Sequence, residues 1–261
     1  MRIIYLGDVV ARPGREVVFG CLPKLKEQYK PDVVIVNVEN AAHGFGATPG
    51  ICRDFFDKGA NVLVTGNHVW QQKELIPYLD ECKYIVRPLN YPGQVPGRGA
   101  AEYELPNGKK IVVAQVLGRL FMEAIDCPAQ AMDKLLKDYT LGRNAAAIFV
   151  DIHAEITAEK ISFGHYLDGR VSAVIGSHTH IPTDDCTIRD GGTAFMTDVG
   201  MCGDYNSVIG MDKQEPINRL LRKFPSGRLM PSAGRGTLRG VLIDTDDQTG
   251  LATHIESLKM Q

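Results

Sequence analysis

Five short apolar runs in this chain each give way, within a few residues, to side chains able to bind a metal. Ile3–Leu6 leads to Gly7-Asp8, Val33–Val38 to Glu39-Asn40, and Val62–Thr65 to Gly66-Asn67-His68. Ala147–Val150 leads to Asp151-Ile152-His153, and Val171–Ile175 to Gly176-Ser177-His178-Thr179-His180. Stretches with helical spacing lie between the runs. The alternation therefore reads as βαβ units around a largely buried sheet, an α/β fold. In open α/β sheets ligands bind just beyond the carboxyl ends of the strands. The pattern predicts that a carboxylate, a Glu-Asn pair, an Asn-His pair and three further histidines converge on one crevice.

The segment from Pro13-Gly14 to Tyr29 carries Val17, Val18, Cys21, Leu22 and Leu25 at helical spacing, with Pro23 expected to kink or split it. Thr48-Pro49 reads as an N-cap and first helical residue of a helix to about Lys58. Gln71–Asp80, Pro128–Lys137 and a segment opening at Thr157 are further helix candidates. Strands are expected at Lys110–Val116, Thr193–Met196, Arg239–Asp244 and Thr253–Leu258, and the turn Asp190-Gly191-Gly192 implies antiparallel pairing. The expected picture is two sheets packed face to face with helices outside. Residues 87–108, with four prolines and four glycines, read as loop, and the Gly/Pro-rich stretch 200–237 as a cover over the site. No repeat or domain boundary divides residues 1–261, which read as a single domain.

With 261 residues and 44% hydrophobic content, the chain can bury a full core. The net charge is −2 and no Lys/Arg block stands out, so neither long nucleic acid nor an anionic membrane is expected as a partner. No stretch approaches the roughly 18 apolar residues of a membrane span, and the first apolar run is too short for a signal peptide. The six cysteines lie far apart without a C-x-x-C pair, so they are expected to be reduced and buried in a cytoplasmic protein. Whether the chain forms a homo-oligomer is left open.

Each candidate residue alone has an ordinary reading. Asp8 can be a turn residue or N-cap, Asn67 a turn Asn in left-handed geometry, and a single His-x-His a pair of surface or core histidines. The ensemble is more specific, because four of the seven histidines (His68, His153, His178, His180) sit at strand ends within it. His165 and His254 have no such context and read as structural, while His43 follows Glu39-Asn40 closely enough to lie near the site. Carboxylate, Asn oxygen and neutral imidazole suit iron, manganese and zinc, and the lack of Cys argues against structural zinc or iron–sulfur. One bridging carboxylate could hold two cations about 3.5–4 Å apart, an arrangement that generates a hydroxide nucleophile and clamps an in-line displacement at phosphorus. At a strand end the i, i+2 spacing of His178 and His180 places both imidazoles on one side. The Gly7–Gly14 segment lacks both the dinucleotide and the P-loop pattern. It could still offer backbone N–H groups to a phosphate, with Arg12 or Arg15 nearby.

Gly7-Asp8, Gly66-Asn67-His68, His153 and Gly176-Ser177-His178-Thr179-His180 resemble the ordered blocks of the calcineurin-like metallophosphoesterase superfamily. Two departures narrow the resemblance. Val10 stands where a histidine is usual, and Glu39-Asn40 where aspartates are usual. With Gly7-Asp8-Val9-Val10-Ala11-Arg12-Pro13-Gly14-Arg15 and Thr197-Asp198-Val199-Gly200-Met201, they resemble the YmdB-like bacterial phosphodiesterases. The resemblance implies a four-layer α/β/β/α sandwich and two metal ions, iron or manganese, with zinc sharing the ligands. It implies hydrolysis of 2′,3′- and 3′,5′-cyclic nucleotides. Asp8, Glu39, Asn40 and His180 would hold one metal. Glu39 would bridge to the second, held also by Asn67, His153 and His178, and His68 would be the general acid. In many relatives the residue after G-N-H is acidic and could orient that histidine; here it is Val69. A phosphatase for phosphomonoesters or phosphoproteins and a non-catalytic metal- and nucleotide-binding regulator remain the alternatives.

Overall fold

The computed structural model describes residues 1–261. Two six-stranded sheets account for its centre. The first is built on β1 (Arg2–Leu6), β3 (Val33–Asn37), β4 (Val62–Val64) and β5 (Ile85–Val86), all parallel. Two antiparallel strands, β13 (Leu238–Thr245) and β14 (Ala252–Met260), complete it in the order β14-β13-β1-β3-β4-β5. The second has the order β10-β11-β9-β8-β7-β6. In it β7 (Lys110–Leu117), β8 (Ala147–His153), β9 (Ala173–Ser177) and β11 (Ala194–Met196) run parallel. Its edges, β6 (Ala100–Glu104) and β10 (Thr187–Ile188), are antiparallel to their neighbours, and Asp190-Gly191-Gly192 turns the chain from β10 into β11 as expected.

The apolar runs are continuous because both faces of each sheet are covered. Ile3, Tyr5, Val33, Ile35, Val62 and Val64 point inward and pack against Ile111, Val113, Phe149, Ala173 and Ile175 of the other sheet. The alternate residues Ile4, Leu6, Val34, Val36 and Leu63 point outward onto α1 (Ala11–Tyr29), α2 (Pro49–Asp57) and α3 (Leu75–Glu81). On the far side Val112, Ile148, Val150 and Val174 meet Met132 of α4 (Pro128–Asp138) and Phe163 of α5 (Thr157–Tyr166). The layers run α/β/β/α, as the resemblance implied. No helix is long and apolar enough to cross a membrane. All six cysteines are free; Cys21, Cys52 and Cys202 are buried and the other three half-buried.

Local expectations hold where burial and capping agree and shift where they do not. Thr48 caps α2, its hydroxyl accepting from Ile51 N at 3.2 Å, with Pro49 in the first turn. α1 runs uninterrupted through Pro23, because Val18, Cys21, Leu22 and Leu25 bury its face on both sides of the lost hydrogen bond. Of Gln71–Asp80 only the part from Leu75 is helical, the earlier residues forming turns. The stretch read as loop, 87–108, contains β6, whose alternating pattern is muted at a sheet edge. Residues 200–237 contain a short strand, β12 (Met201–Cys202), and α6 (Gln214–Arg222). β12 pairs in parallel with β2 (Asp8–Val9).

One buried ion pair fixes how the chain leaves β9. Lys160, fully buried on α5, donates to Ser177 O at 2.6 Å and to Asp198 Oδ2 at 2.7 Å. Asp198 in turn accepts from Thr179 N at 3.1 Å, Thr179 Oγ1 at 2.7 Å and Gly200 N at 2.8 Å. The pair thus ties the His178–His180 segment to the segment after β11. Lys160→Ala leaves the Asp198 carboxylate buried without its cation, which costs roughly 3–5 kcal/mol. The urea midpoint of Lys160→Ala is therefore expected well below that of the wild type, and an unchanged midpoint would remove this role.

Candidate metal centre

The carboxyl ends of β1, β3, β4, β8 and β9 meet along one rim between the two sheets. Glycines allow the close approach there. A Cβ on Gly66, whose φ is +62°, would lie 1.7 Å from Glu39 Oε2. A Cβ on Gly7 would lie 1.9 Å from Gly200 O. In the parallel register Leu117, His153 and Ser177 stand side by side, so His153 is the last residue of its strand. The His-x-His pair is reached differently from the strand-end expectation. β9 stops at Ser177, and His178 (φ 96°) and His180 (φ 66°) both adopt left-handed backbone. That costly conformation for residues with a Cβ, rather than strand alternation, turns each ring inward.

Two groups of ligand atoms result, each within 4.8 Å: Glu39, His153 and His178 in one, Asp8, Glu39 and His180 in the other. Glu39 belongs to both and is 1% exposed. The asparagines join them. Asn67 Oδ1 lies 2.9 Å from His153 Nε2, and Asn40 Oδ1 lies 3.2 Å from His180 Nε2. His68 lies alongside, its backbone N 3.5 Å from Glu39 Oε2. His43 is exposed and outside both groups, facing a cavity of about 460 Å³ with Arg12 and Arg15. Arg12 pairs with Glu16 at 2.6 Å and Arg15 donates to Ala41 O, so neither guanidinium is aimed at the ligand cluster. His165 contacts Arg189 and His254 lies near Glu256, both on the surface.

Each imidazole in the cluster has its outer nitrogen on an acceptor. Ser177 Oγ donates to Asp151 Oδ1 at 2.6 Å and so accepts from His153 Nδ1 at 2.7 Å, which leaves Nε2 facing inward, able to offer a lone pair to a cation once its own proton is lost. His180 Nδ1 donates to Ile209 O at 2.8 Å. His178 Nε2 lies 3.2 Å from Glu155 Oε2, while its Nδ1 faces His153 Nε2 at 3.1 Å. Behind His153, Asp151 also accepts from Gln115 Nε2 at 2.7 Å and from the Tyr5 hydroxyl at 2.9 Å. Gln115 Oε1 accepts from Gly66 N, and Asn37 holds Asp8 Oδ1 at 2.9 Å. Sequence patterns pointed to none of these supporting roles. Asp151 and Ser177 lie inside the quoted motifs, and Gln115 and Asn37 are polar residues within apolar strands.

The electrostatics fit a cation-binding cluster. Burial pushes the Asp8 carboxyl well above its ordinary range. Burial acts on Glu39 in the same direction but is overcome by the adjacent His153, which holds the carboxyl down at about 2. Against its own burial, His153 is raised to about 9 by the charge of Glu39. His178 is lowered to about 3, first by burial and then by the positive His153 beside it, and burial lowers His180 as well. One imidazolium thus supplies the positive charge among buried carboxylates, where a bound cation would supply more. The donor set of carboxylate, amide oxygen and imidazole matches iron, manganese or zinc. Val10, the departure at the first block, is 2% exposed and packs with Ala11 and Met201. It also lies under Gly210, whose added Cβ would meet it at 2.5 Å.

The sequence and the fold have counterparts among known proteins. The chain is 44% identical over 258 residues to the 2′,3′-cyclic-nucleotide 2′-phosphodiesterase of Bacillus subtilis, covering 99% of this chain and 96% of that protein. The crystal structure of a hypothetical protein from Thermus thermophilus superposes with a TM-score of 0.93 at 38% identity, covering 100% and 99% of the two chains. The crystal structure of a phosphatase from Mycoplasma pneumoniae gives 0.92 at 32% identity, covering 100% and 93%. The model of the YmdB-like protein family matches residues 4–258, nearly the whole length. The chain belongs to the YmdB-like family.

Proposed function

We propose that the protein is a phosphodiesterase that opens cyclic nucleotides, 2′,3′- or 3′,5′-cyclic, with two metal ions sharing one carboxylate. The observation that carries this reading is that Glu39 belongs to both ligand groups. Asp8, Glu39, Asn40 and His180 are assigned to one ion, and Glu39, Asn67, His153 and His178 to the other. Iron or manganese is favoured by the family resemblance, and zinc shares the ligands. When bound, such a pair supplies Lewis-acid charge at the phosphoryl group and makes water acidic enough to attack at neutral pH.

The chain's own residues do the rest. Ser177, Ile209 and Glu155 fix the tautomers and ring planes of His153, His180 and His178. Asn37 and the His178 backbone N–H hold the Asp8 carboxylate. In the reaction the oxygen of water bonds to phosphorus and the bond from phosphorus to one ribose oxygen breaks, leaving a phosphomonoester. That ribose oxygen is a poor leaving group, and His68 is assigned to deliver its proton. The name of the B. subtilis relative supports a cyclic diester as substrate and the 2′ oxygen as the one released.

Two outcomes follow. The metal-loaded protein should turn over cyclic nucleotides and bis-p-nitrophenyl phosphate in preference to phosphomonoesters, and a chelator should abolish the activity. Faster turnover of monoesters would favour a phosphatase, and tight nucleotide binding without product would favour a regulator. His68→Ala should lower kcat on a cyclic nucleotide by about 10²–10⁴-fold. The loss on bis-p-nitrophenyl phosphate should be far smaller, because nitrophenolate departs without a proton. Full activity of His68→Ala on cyclic nucleotides would remove the acid assignment.

A further inference from the structure

A general acid must hold its imidazole in one plane, yet the His68 ring has no hydrogen-bonded partner within the protein. The residue that follows it, Val69, is fully buried in the core and offers no carboxylate. The ring's close neighbour is instead Phe45. The two centroids are 5.2 Å apart with the planes at 88°, an edge-on aromatic contact.

Phe45 reaches that position because the loop after Glu39-Asn40 is wound tightly and tied at both ends. Gly44 and Gly46 flank it with φ of +89° and +76°. Ala42 N donates to Gly46 O at 2.8 Å, Phe45 N to Ala42 O at 3.0 Å, and Asn40 Nδ2 to Gly44 O at 3.0 Å. From the other side Gln72 Nε2 donates to Phe45 O at 2.8 Å, and Gln71 N to His68 O at 3.1 Å. A Cβ on Gly46 would lie 3.1 Å from His68 O, so the two backbones are already in contact. One loop therefore carries two assigned metal ligands at its start and a ring against the assigned acid at its end.

We propose that Phe45 is the positioning residue of His68, setting the plane in which the imidazole delivers its proton to the leaving oxygen. The inference rests on the reading of His68 as the acid. It takes over the task that an acidic residue after the G-N-H block could perform elsewhere. It also couples the acid to the metal centre, because the same loop places Glu39, Asn40 and Phe45.

The test compares wild type, Phe45→Leu, Phe45→Tyr, His68→Ala and the double variant Phe45→Leu/His68→Ala on a 2′,3′-cyclic nucleotide and on bis-p-nitrophenyl phosphate. Phe45→Leu keeps apolar volume but removes the ring. It should lower kcat on the cyclic nucleotide by about tenfold or more, within the range expected for a misplaced catalytic group, with KM little changed. The nitrophenyl diester should be spared, Phe45→Tyr should restore the rate, and Phe45→Leu should add nothing in the His68→Ala background. The imidazole resonances of His68, read by NMR on histidine-labelled protein, should move in Phe45→Leu and return in Phe45→Tyr, independently of turnover. Equal losses on the two substrates, additivity with His68→Ala, or unmoved His68 resonances would overturn the inference. Should His68→Ala itself spare the cyclic nucleotide, the acid assignment fails, and the resonances still decide whether Phe45 sets the ring.

Discussion

A single buried carboxylate organises this molecule. Glu39 lies between two ligand groups that come from both sheets, so each half of the sandwich must deliver its strand ends to within a few ångströms of the same side chain. Much of the local detail follows from that demand. Gly66 has no room for a Cβ beside Glu39. Asn37 donates to Asp8 and accepts from Glu39 N, binding the two carboxylate residues together. The interior between the sheets, with the Tyr5 and Phe149 rings 4.9 Å apart and tilted at 46°, sets the spacing of the two halves, and the Tyr5 hydroxyl reaches into the site's support through Asp151.

The support around the cluster is graded. Nearest are the groups that choose a tautomer for each imidazole: a serine hydroxyl, a backbone carbonyl and a half-exposed carboxylate. Beyond them lies a fully buried network of Asp151, Gln115 and Tyr5, in which each polar atom has a partner. Lys160 and Asp198 then hold the backbone that carries His178 and His180 in left-handed conformation. Such strained backbone persists only where its surroundings over-determine it, and the paired charges beneath the segment supply that determination.

The sequence made the architecture readable where both faces of a strand are buried, because there the apolar runs are unbroken and end abruptly at polar residues. Val33–Asn37 and Ala147–His153 show this most clearly. It was less readable at edges and connections: β6 is half-exposed, and the turns before Leu75 carry helix-forming residues without being helical. The candidate ligands were legible because their residue types are scarce and their positions shared. Their supports were not. A buried glutamine in β7, a lysine on α5 and a phenylalanine between two glycines acquire their roles only when elements remote in sequence are brought together. The His-x-His spacing led to an expectation of strand alternation that does not hold, since left-handed backbone at His178 and His180 turns the rings.

The central claim is that Glu39 is shared by two metal ions, and metal analysis tests it most directly. Wild-type protein purified without oxygen and loaded with iron or manganese should hold two ions per chain, in keeping with the two ligand groups that meet at Glu39. Glu39→Gln keeps the side-chain size but loses the charge both groups depend on, and should weaken both ions together, leaving fewer than one per chain after dialysis. Two ions retained by Glu39→Gln at wild-type affinity would contradict the account.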